Sequence, residues 1–329
     1  MGDESIQRGE ALPESGKPSG LLYHYTDQKG LLGILESKGI WATHVRHLND
    51  GSEFTLGWDK SWETLLHLIS LSEFQYKDQL ERIYTRFRKV ISSSPEHTNY
   101  YVWCLTEDSR TDSDPRGFQG DRLSQWRAYS GGGHGFSLGF DSTILEGCFS
   151  TSMKVVYSLG RCLYDEKMQN SQIKDLAARH LQEFLDKWSV YFHQLRDPKL
   201  GSFENFKNNL DFTVAPIVNM YADFVQLGAF MKHPGFVEEN EWRFVFVSEH
   251  GGDCSFRESR FGLTPYLPIG LDFCRSPSPL KRIIVGPGPH KEEWVETVRL
   301  LLAKRLSLVS RWSSLRSPTA TGDPATAVS

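Results

Sequence analysis

Four short stretches of the sequence combine residue types that could do chemistry. The first is YHYT, in which His24 stands between Tyr23 and Tyr25 on a short apolar run. On a strand, alternate side chains point to opposite faces, so His24 would present an imidazole on one face while the tyrosines make the other face aromatic. A histidine placed in this way is either satisfied by a neighbouring backbone group or available to a ligand.

The second stretch, HVRHLNDGSE, gathers amide and carboxylate groups after a predicted strand. Asn49, Asp50 and Glu53 crowd a turn that contains glycine. Turn and helix-capping chemistry accounts for Asn49 and Asp50 without any function. With His44 and His47, the two acids Asp50 and Glu53 recur at every third residue. Gly51 interrupts this run, which argues against a single helix that carries all four as metal ligands.

The third stretch, LSQWRAYSGGGHGFSLGFD, places two large aromatic residues before a glycine-rich turn. Trp126 and Tyr129 belong to a short helical turn, and an alternating strand follows the glycines. The aromatic side chains are suited either to packing in a core or to stacking on a flat ring. The glycines lead into a strand, so a phosphate-binding helix N-terminus is not predicted here.

The fourth stretch, GFVEENEWRFVFVS, carries acidic residues into an apolar strand. Glu239 and Glu241 are two residues apart, and Arg243 follows. On one strand the two glutamates would share a face, where their mutual repulsion would tune a pKa. Acidic residues at the start of a strand are otherwise simply solvated.

The elements that must position these groups form an α+β pattern. Strand patterns cluster before and after one helical block, which runs from Tyr164 to Met231, and a final helix closes the pattern. We therefore predict one α+β domain over residues 21–312, with a helical insertion at 164–231 and a C-terminal helix. Residues 1–20 and 313–329 are rich in Ser, Pro, Gly and Thr, and we expect them to be disordered.

Composition and motifs argue against several functional classes. The formal net charge is -4 with no basic stripe, and no apolar run approaches the roughly 18 residues that a membrane span needs. The five cysteines form no CxxC pair. P-loop, GxGxxG, GxSxG and HExxH motifs are missing from the sequence. We expect a cytoplasmic protein with reduced thiols, no structural metal and no membrane partner; its oligomeric state is not predicted.

Taken in order, the stretches resemble the bacterial domain-of-unknown-function family 2971, whose activity is not generally established. The resemblance covers nearly all of the chain from Leu21 to Leu306, and Gly51 stands where the family usually has proline. The segments that carry it are YHYT, GLLGILES, GIWAT, LNDGSE, QWRAYSGGGHGFSLGFD, FMKHPGFVEENEWRFVF and KRIIVGPG.

A more distant resemblance supplies a chemistry. YHYTDQKGLLGILESKGIWA is similar to the opening of DNA-modifying ADP-ribosyltransferase toxins of the DarT type and of tRNA 2′-phosphotransferases. The resemblance implies a mixed or antiparallel split β-sheet core of ADP-ribosyltransferase-like type. It gives His24 contact with the ribose of the nicotinamide half of NAD, and it makes Glu241 the late catalytic glutamate, with Glu239 completing an E-x-E pair.

The same resemblance implies the remaining site residues. NAD would be a substrate, and a carboxylate would stabilise the oxocarbenium-like centre without a metal. A protein or nucleic acid would be the acceptor, and the role would be that of a bacterial toxin or phage-defence effector. The residues expected to bind NAD are Tyr25, Thr26, Trp126 and Tyr129, and those expected on the acceptor side are Asn49, Asp50, Glu53, Glu239 and Arg243.

Two other functions stay open at the level of sequence. In the first, the protein is a non-catalytic binding module in which His24, Asp50, Glu241 and Arg243 form a buried polar network that fixes the sheet. In the second, it is a metal-dependent nuclease whose magnesium ligands are Asp50, Glu53, Glu239 and Glu241, although no lysine or basic track lies near them in the sequence.

Overall fold

A computed structural model describes residues 17–18, 20–48, 51–93, 99–107, 120–131, 134–152, 156–194, 210–248, 253–259, 262–273 and 276–306. The chain contacts divide it into two compact units. One is helical and comes from Val45–Tyr100 and Leu163–Pro234; the other is built on a sheet and comes from Ser15–His44, Tyr101–Cys162 and Gly235–Ser329. The predicted terminal segments lie, except for residues 17, 18 and 20, outside the described residues.

The sheet has nine strands in the described chain. They are β1 Leu21–Thr26, β2 Gly39–His44, β3 Tyr100–Glu107, β4 Phe136–Asp141, β5 Val156–Arg161, β6 Glu241–Val247, β7 Ser255–Ser259, β8 Gly262–Gly270 and β9 Leu280–Val285. Hydrogen bonding connects β7-β8-β2-β3-β1-β4-β9, and β6 pairs with both β3 and β5. The pairings with a described register are antiparallel. The predicted α+β class with an antiparallel sheet is confirmed.

The helices accompany the two units. Those of the sheet unit are α1 Gln28–Ser37, α4 Leu123–Tyr129, α5 Ser142–Ser152 and α8 Lys291–Leu306. Those of the helical unit are α2 Gly51–Leu71, α3 Lys77–Ser93, α6 Glu166–Gln194 and α7 Leu210–Phe230. The helices of the predicted insertion therefore belong to one unit with α2 and α3. The prediction of a single domain from 21 to 312 stays a prediction.

The main core of the sheet unit lies on one face of the sheet. Trp103 of β3 stacks on Phe244 of β6 with ring centroids 5.9 Å apart, and Phe140 of β4 meets Trp103 edge-on. Leu31 and Ile34 of α1 join this core because their helical spacing puts them on one side of the helix. β-branched and aromatic residues dominate these strands, which explains why the sequence forms a sheet here.

The helical unit has an aromatic core of its own. Trp58 and Trp62 of α2 contact each other edge-on, Trp62 meets Phe224 of α7, and Trp58 meets Tyr221. These contacts link α2 to α7 through large buried rings, which contribute more stabilisation than aliphatic side chains of the same number. No helix in the described part of the chain is both long and apolar enough to span a membrane.

One helix and one strand of the sheet unit were not predicted. Helix α5 follows β4 directly and is stabilised at its start by Asp141, whose side chain accepts a hydrogen bond from the backbone N–H of Ile144 at 3.1 Å. Strand β7 pairs with β8, which begins at Gly262, whose φ of +110° suits glycine.

Candidate functional site

The histidine of the first strand lies where β3 changes its pairing partner. β1 pairs with β3 through Leu22 and Tyr23 opposite Glu107 and Thr106, whereas β2 pairs with β3 through residues 43 and 44 opposite 102 and 101. Between these two paired stretches, the carbonyl of Cys104 accepts a hydrogen bond from Nδ1 of His24 at 3.0 Å. The side chain of His24 thus spans a gap in the backbone pairing of β3.

The electrostatics of His24 favour the neutral imidazole. Burial lowers its pKa to about 4, the bond to the Cys104 carbonyl opposes that shift, and the positive charge of Arg257 adds to it. A carbonyl can only accept, so Nδ1 carries the proton and Nε2 is left as an acceptor. Among the described residues, Cys104 is the one hydrogen-bond partner of this ring.

The tyrosines beside His24 face a second, smaller aromatic cluster. Tyr23 and Tyr25 pack with Trp126 and Ile284, on the side of β1 that carries α4. Tyr25 meets Trp126 edge-on at 4.9 Å, and its hydroxyl accepts from the backbone N–H of Arg122 at 2.9 Å. Burial raises the pKa of Tyr25 well above its ordinary value. Trp126 is only 2% exposed, so neither of its ring faces is open to a ligand.

Tyr129 and Glu239 form a half-buried pair at the end of α4. The hydroxyl of Tyr129 donates to the two carboxylate oxygens of Glu239, at 3.2 and 3.3 Å. Nearby, the guanidinium of Arg122 donates to the backbone carbonyl of Glu238, which ties the start of α4 to the 3₁₀ turn Pro234–Glu239. An aromatic ring and a carboxylate therefore stand side by side, both with part of their surface exposed.

Glu241 is engaged in a buried ion pair. Nε of Arg243 donates to one carboxylate oxygen at 2.6 Å and Nη2 to the other at 3.4 Å, while Glu241 is 4% exposed and Arg243 3%. Both residues alternate with Trp242 and Phe244 of the main core, so they point to the opposite face of β6. Burial itself disfavours the charge of Arg243, but Cys162 and Glu241 raise its pKa well above the ordinary value.

The prediction that Glu239 and Glu241 share one face of a strand is wrong. Glu239 lies in the 3₁₀ turn, β6 begins only at Glu241, and Asn240 between them has a φ of +42°. Strand alternation therefore does not relate the two glutamates, and Glu241 is paired with Arg243 rather than repelled by a neighbouring carboxylate.

Sequence reasoning missed a polar network around the same turn. The side chain of Asn240 donates to the carbonyl of Glu107 at 3.0 Å, and Arg161 donates to the amide oxygen of Asn240. The indole N–H of Trp242 donates to the Glu107 carboxylate at 2.9 Å. The sequence feature that could have indicated this turn is Asn240 directly before β6, because asparagine adopts left-handed backbone more readily than most residues.

The other predicted site residues lie away from the polar network of Asn240 or outside the described part of the chain. Thr26 is 9% exposed and packs against Gly30 of α1. Asn49 and Asp50 lie outside the described residues, and Glu53 belongs to α2 but its side chain is not among those described. Nothing is therefore assigned to an acceptor side formed by these three residues.

The structure brings some predicted site residues together and separates others. Tyr25, Trp126, Tyr129 and Glu239 are linked through α4 and the 3₁₀ turn. His24 instead lies on the Leu22 side of β1, where its ring contacts Trp103 of the main core at 5.5 Å. His24 and Glu241 therefore project from opposite faces of the sheet.

Two findings bear on metal and cysteine chemistry. Among the described side chains, no group of three or more His, Cys, Asp or Glu is arranged to hold a metal ion. The four described cysteines, Cys104, Cys148, Cys162 and Cys254, form no disulfide.

Comparison with known proteins finds a match to a family model. The model of a family described as "Protein of unknown function (DUF2971)" matches residues 125–244. No curated protein and no solved structure matches the chain. The matched segment runs from α4 into β6, so it contains Tyr129, Glu239 and Glu241 but not His24. Over residues 125–244, the chain thus matches the domain-of-unknown-function family 2971.

Proposed function

We propose that this protein is an NAD-consuming transferase or glycohydrolase of the ADP-ribosyltransferase-like type. The observation that carries the proposal is the Tyr129–Glu239 pair, in which a half-buried carboxylate stands beside a half-buried aromatic ring. Cleavage of NAD needs both groups: a flat face for nicotinamide and a negative charge for the ribose. Glu239 therefore takes the role that the sequence resemblance gave to Glu241, because Glu241 is neutralised by Arg243 and buried.

The reaction breaks the bond between C1′ of the ribose and the nicotinamide nitrogen. The bonding electrons leave with nicotinamide, and positive charge develops on the ribose. The Glu239 carboxylate stabilises that charge, and Tyr129 both orients the carboxylate and offers its ring to nicotinamide. Water, or a nucleophilic group of a protein or nucleic acid, forms the new bond to C1′ and gives up its proton to solvent.

His24 is given no contact with NAD in this proposal. Its ring lies on the Leu22 face of β1 against Trp103, whereas Tyr129 packs with Tyr23 and Tyr25 on the other face. The bond from Nδ1 of His24 to the Cys104 carbonyl is then a structural contact between β1 and β3. A role as a bacterial toxin or phage-defence effector, and a cytoplasmic location, remain part of this proposal.

One observation favours a second candidate, a binding module without catalysis. The Glu241–Arg243 pair and the network of Asn240, Glu107 and Trp242 are buried and hydrogen-bonded. Such networks fix a sheet without taking part in a reaction. In this case the half-buried Tyr129–Glu239 pair would contact a nucleotide and leave it intact.

The test measures nicotinamide released from NAD by the purified full chain, with DNA, RNA and cell lysate added in turn. The variants are E239Q, Y129F and Y129A, with E238Q as the matched control, since Glu238 is exposed and adjacent. The proposal expects release that E239Q reduces by roughly a hundredfold or more and E238Q leaves unchanged. Binding of NAD without any release would favour the binding module.

A further inference from the structure

A second cluster of chemistry-bearing side chains lies on β2, β7 and β8. It consists of Trp41, Thr43, Arg257 and Tyr266, here called the Arg257 shelf. The backbone register sets Thr43 opposite Tyr266, so Trp41, Thr43 and Tyr266 share one face of the sheet. The rings of Trp41 and Tyr266 are 5.0 Å apart, and the Arg257 guanidinium lies 5.8 Å from both ring centroids.

The charge of Arg257 meets two aromatic rings and a hydroxyl, and no carboxylate among the described residues pairs with it. Its Nη2 donates to the hydroxyl of Thr43 at 2.6 Å, a neutral partner, and within the described chain it has no ion pair. The neighbouring acid on β7, Glu258, is instead paired with Lys29 at 3.2 Å on the exposed side. Burial lowers the pKa of Arg257, and Tyr266 and Asp27 oppose that shift. A partly desolvated guanidinium with unused N–H donors is suited to an anion that brings several acceptors.

The shelf also lies close to the end of β1. Arg257 acts electrostatically on both His24 and Asp27, which lie before and after the end of that strand. A Cβ on Gly131, two residues beyond Tyr129, would stand 3.4 Å from Asp27. The shelf and Gly131, which follows α4, therefore both lie near Asp27.

We propose that the Arg257 shelf binds the diphosphate group of a nucleotide, with the guanidinium on the phosphates and the aromatic pair beside the base. The two parallel N–H groups of an arginine match two oxygens of a phosphate. Half-buried aromatic rings can contact a flat base whatever the identity of that base. That the nucleotide is NAD rests on the proposed function; the anion site itself rests on the contacts of Arg257 alone.

The test uses ADP and adenosine as probes, titrated by calorimetry into the folded full chain. We expect ADP to bind at least about tenfold more tightly than adenosine, because adenosine lacks the phosphates. R257Q should weaken ADP binding by about tenfold or more, whereas K29Q, which removes a nearby exposed positive charge, should change it by less than about twofold. Circular dichroism and thermal unfolding verify that each variant is folded.

Three results would overturn the inference: a folded R257Q that binds ADP like wild type, a folded wild type that does not bind ADP, or equal binding of adenosine. If R257Q does not fold, R257K decides, since it keeps the charge but loses the planar donor fork. A loss of about threefold or more supports the shelf, and unchanged binding contradicts it. ADP binding that needs Arg257, without nicotinamide release, upholds the shelf and contradicts the proposed function. Nicotinamide release from NAD with the same KM in R257Q as in wild type upholds the proposed function and contradicts the shelf.

Discussion

Tyr129 donates its hydroxyl to both carboxylate oxygens of Glu239, at 3.2 and 3.3 Å, across 110 positions of sequence. The contact joins the end of α4 to the 3₁₀ turn before β6 and leaves both groups partly exposed. Because the pair is partly solvated, its hydrogen bonds contribute little to folding, on the order of 1 kcal/mol.

Substitution of Tyr129 separates the two contributions of this side chain. Y129F keeps the ring and loses the hydroxyl, so we expect a change of about 1 kcal/mol or less in the free energy of unfolding and a partial loss of NAD cleavage. Y129A also loses the stacking face, so cleavage should fall further. Urea unfolding and nicotinamide release measure the two effects, and equal activity of both variants would contradict a stacking role.

Breaking the Glu241–Arg243 ion pair is expected to destabilise the sheet unit strongly. Either E241Q or R243Q leaves the other partner buried with its pairing lost, at a cost of about 3–5 kcal/mol. The double variant E241L/R243M should lose less than the sum of the single variants because no buried charge remains. Urea unfolding of the three variants measures this coupling. If each single variant loses less than about 1 kcal/mol in the free energy of unfolding, and the double variant loses the sum, the ion pair does not stabilise the sheet unit.

The lowered pKa of His24 predicts a specific dependence of stability on pH. Below the ordinary value of 6.5 the unfolded chain binds a proton at His24 while the native chain does not, down to about pH 4. The free energy of unfolding therefore falls as pH drops through this window, by about 3 kcal/mol at most. H24N, which keeps a donor for the Cys104 carbonyl, should remove this contribution.

Unfolding by urea at pH 7 and pH 5 compares H24N with wild type. H290N is the control, because His290 is exposed and should leave the dependence unchanged. An H24N protein that loses as much stability as wild type between the two pH values would show that His24 is not held neutral.

Two glycines in helices predict opposite effects of alanine. At Gly33 of α1, a Cβ would come within 2.2 Å of the Trp41 ring, so G33A should cost about 1–3 kcal/mol and disturb the Arg257 shelf. At Gly147 of α5, a Cβ meets nothing within 4 Å, so G147A should add about 0.5–1 kcal/mol of stability. Thermal unfolding of the pair measures the difference, and a stable G33A would contradict the close packing on Trp41.

The sequence predicted those elements whose local pattern and tertiary environment agree. β6 is crowded with aromatic and β-branched residues, and the sequence predicts an apolar strand there. α5, STILEGCFSTS, was missed because its serines, threonines and glycine are weak helix formers, and a cap from Asp141 offsets this. β7, SFRES, lacks an apolar alternation and exists through its pairing with β8.

Only part of the candidate site could be predicted from the sequence. Tyr129 was predicted as a site residue because its ring, like that of Trp126, is suited to stacking on a flat ligand, and Glu239 because the resemblance implies an E-x-E pair. The separation of Glu239 from β6 and the pairing of Glu241 were not predictable, since they depend on the left-handed backbone of Asn240 and on the ion pair with Arg243. Arg257 was missed together with its strand.

The central claim is that Glu239, oriented by Tyr129, stabilises the charge that develops when NAD is cleaved. The most direct measurement is nicotinamide release from NAD by wild type, E239Q and E238Q, all shown to be folded, in the presence of DNA, RNA or lysate. The account predicts release by wild type and E238Q, and a loss of roughly a hundredfold or more in E239Q. Release that E239Q leaves unchanged, or no release by folded wild type under any of these conditions, would contradict it.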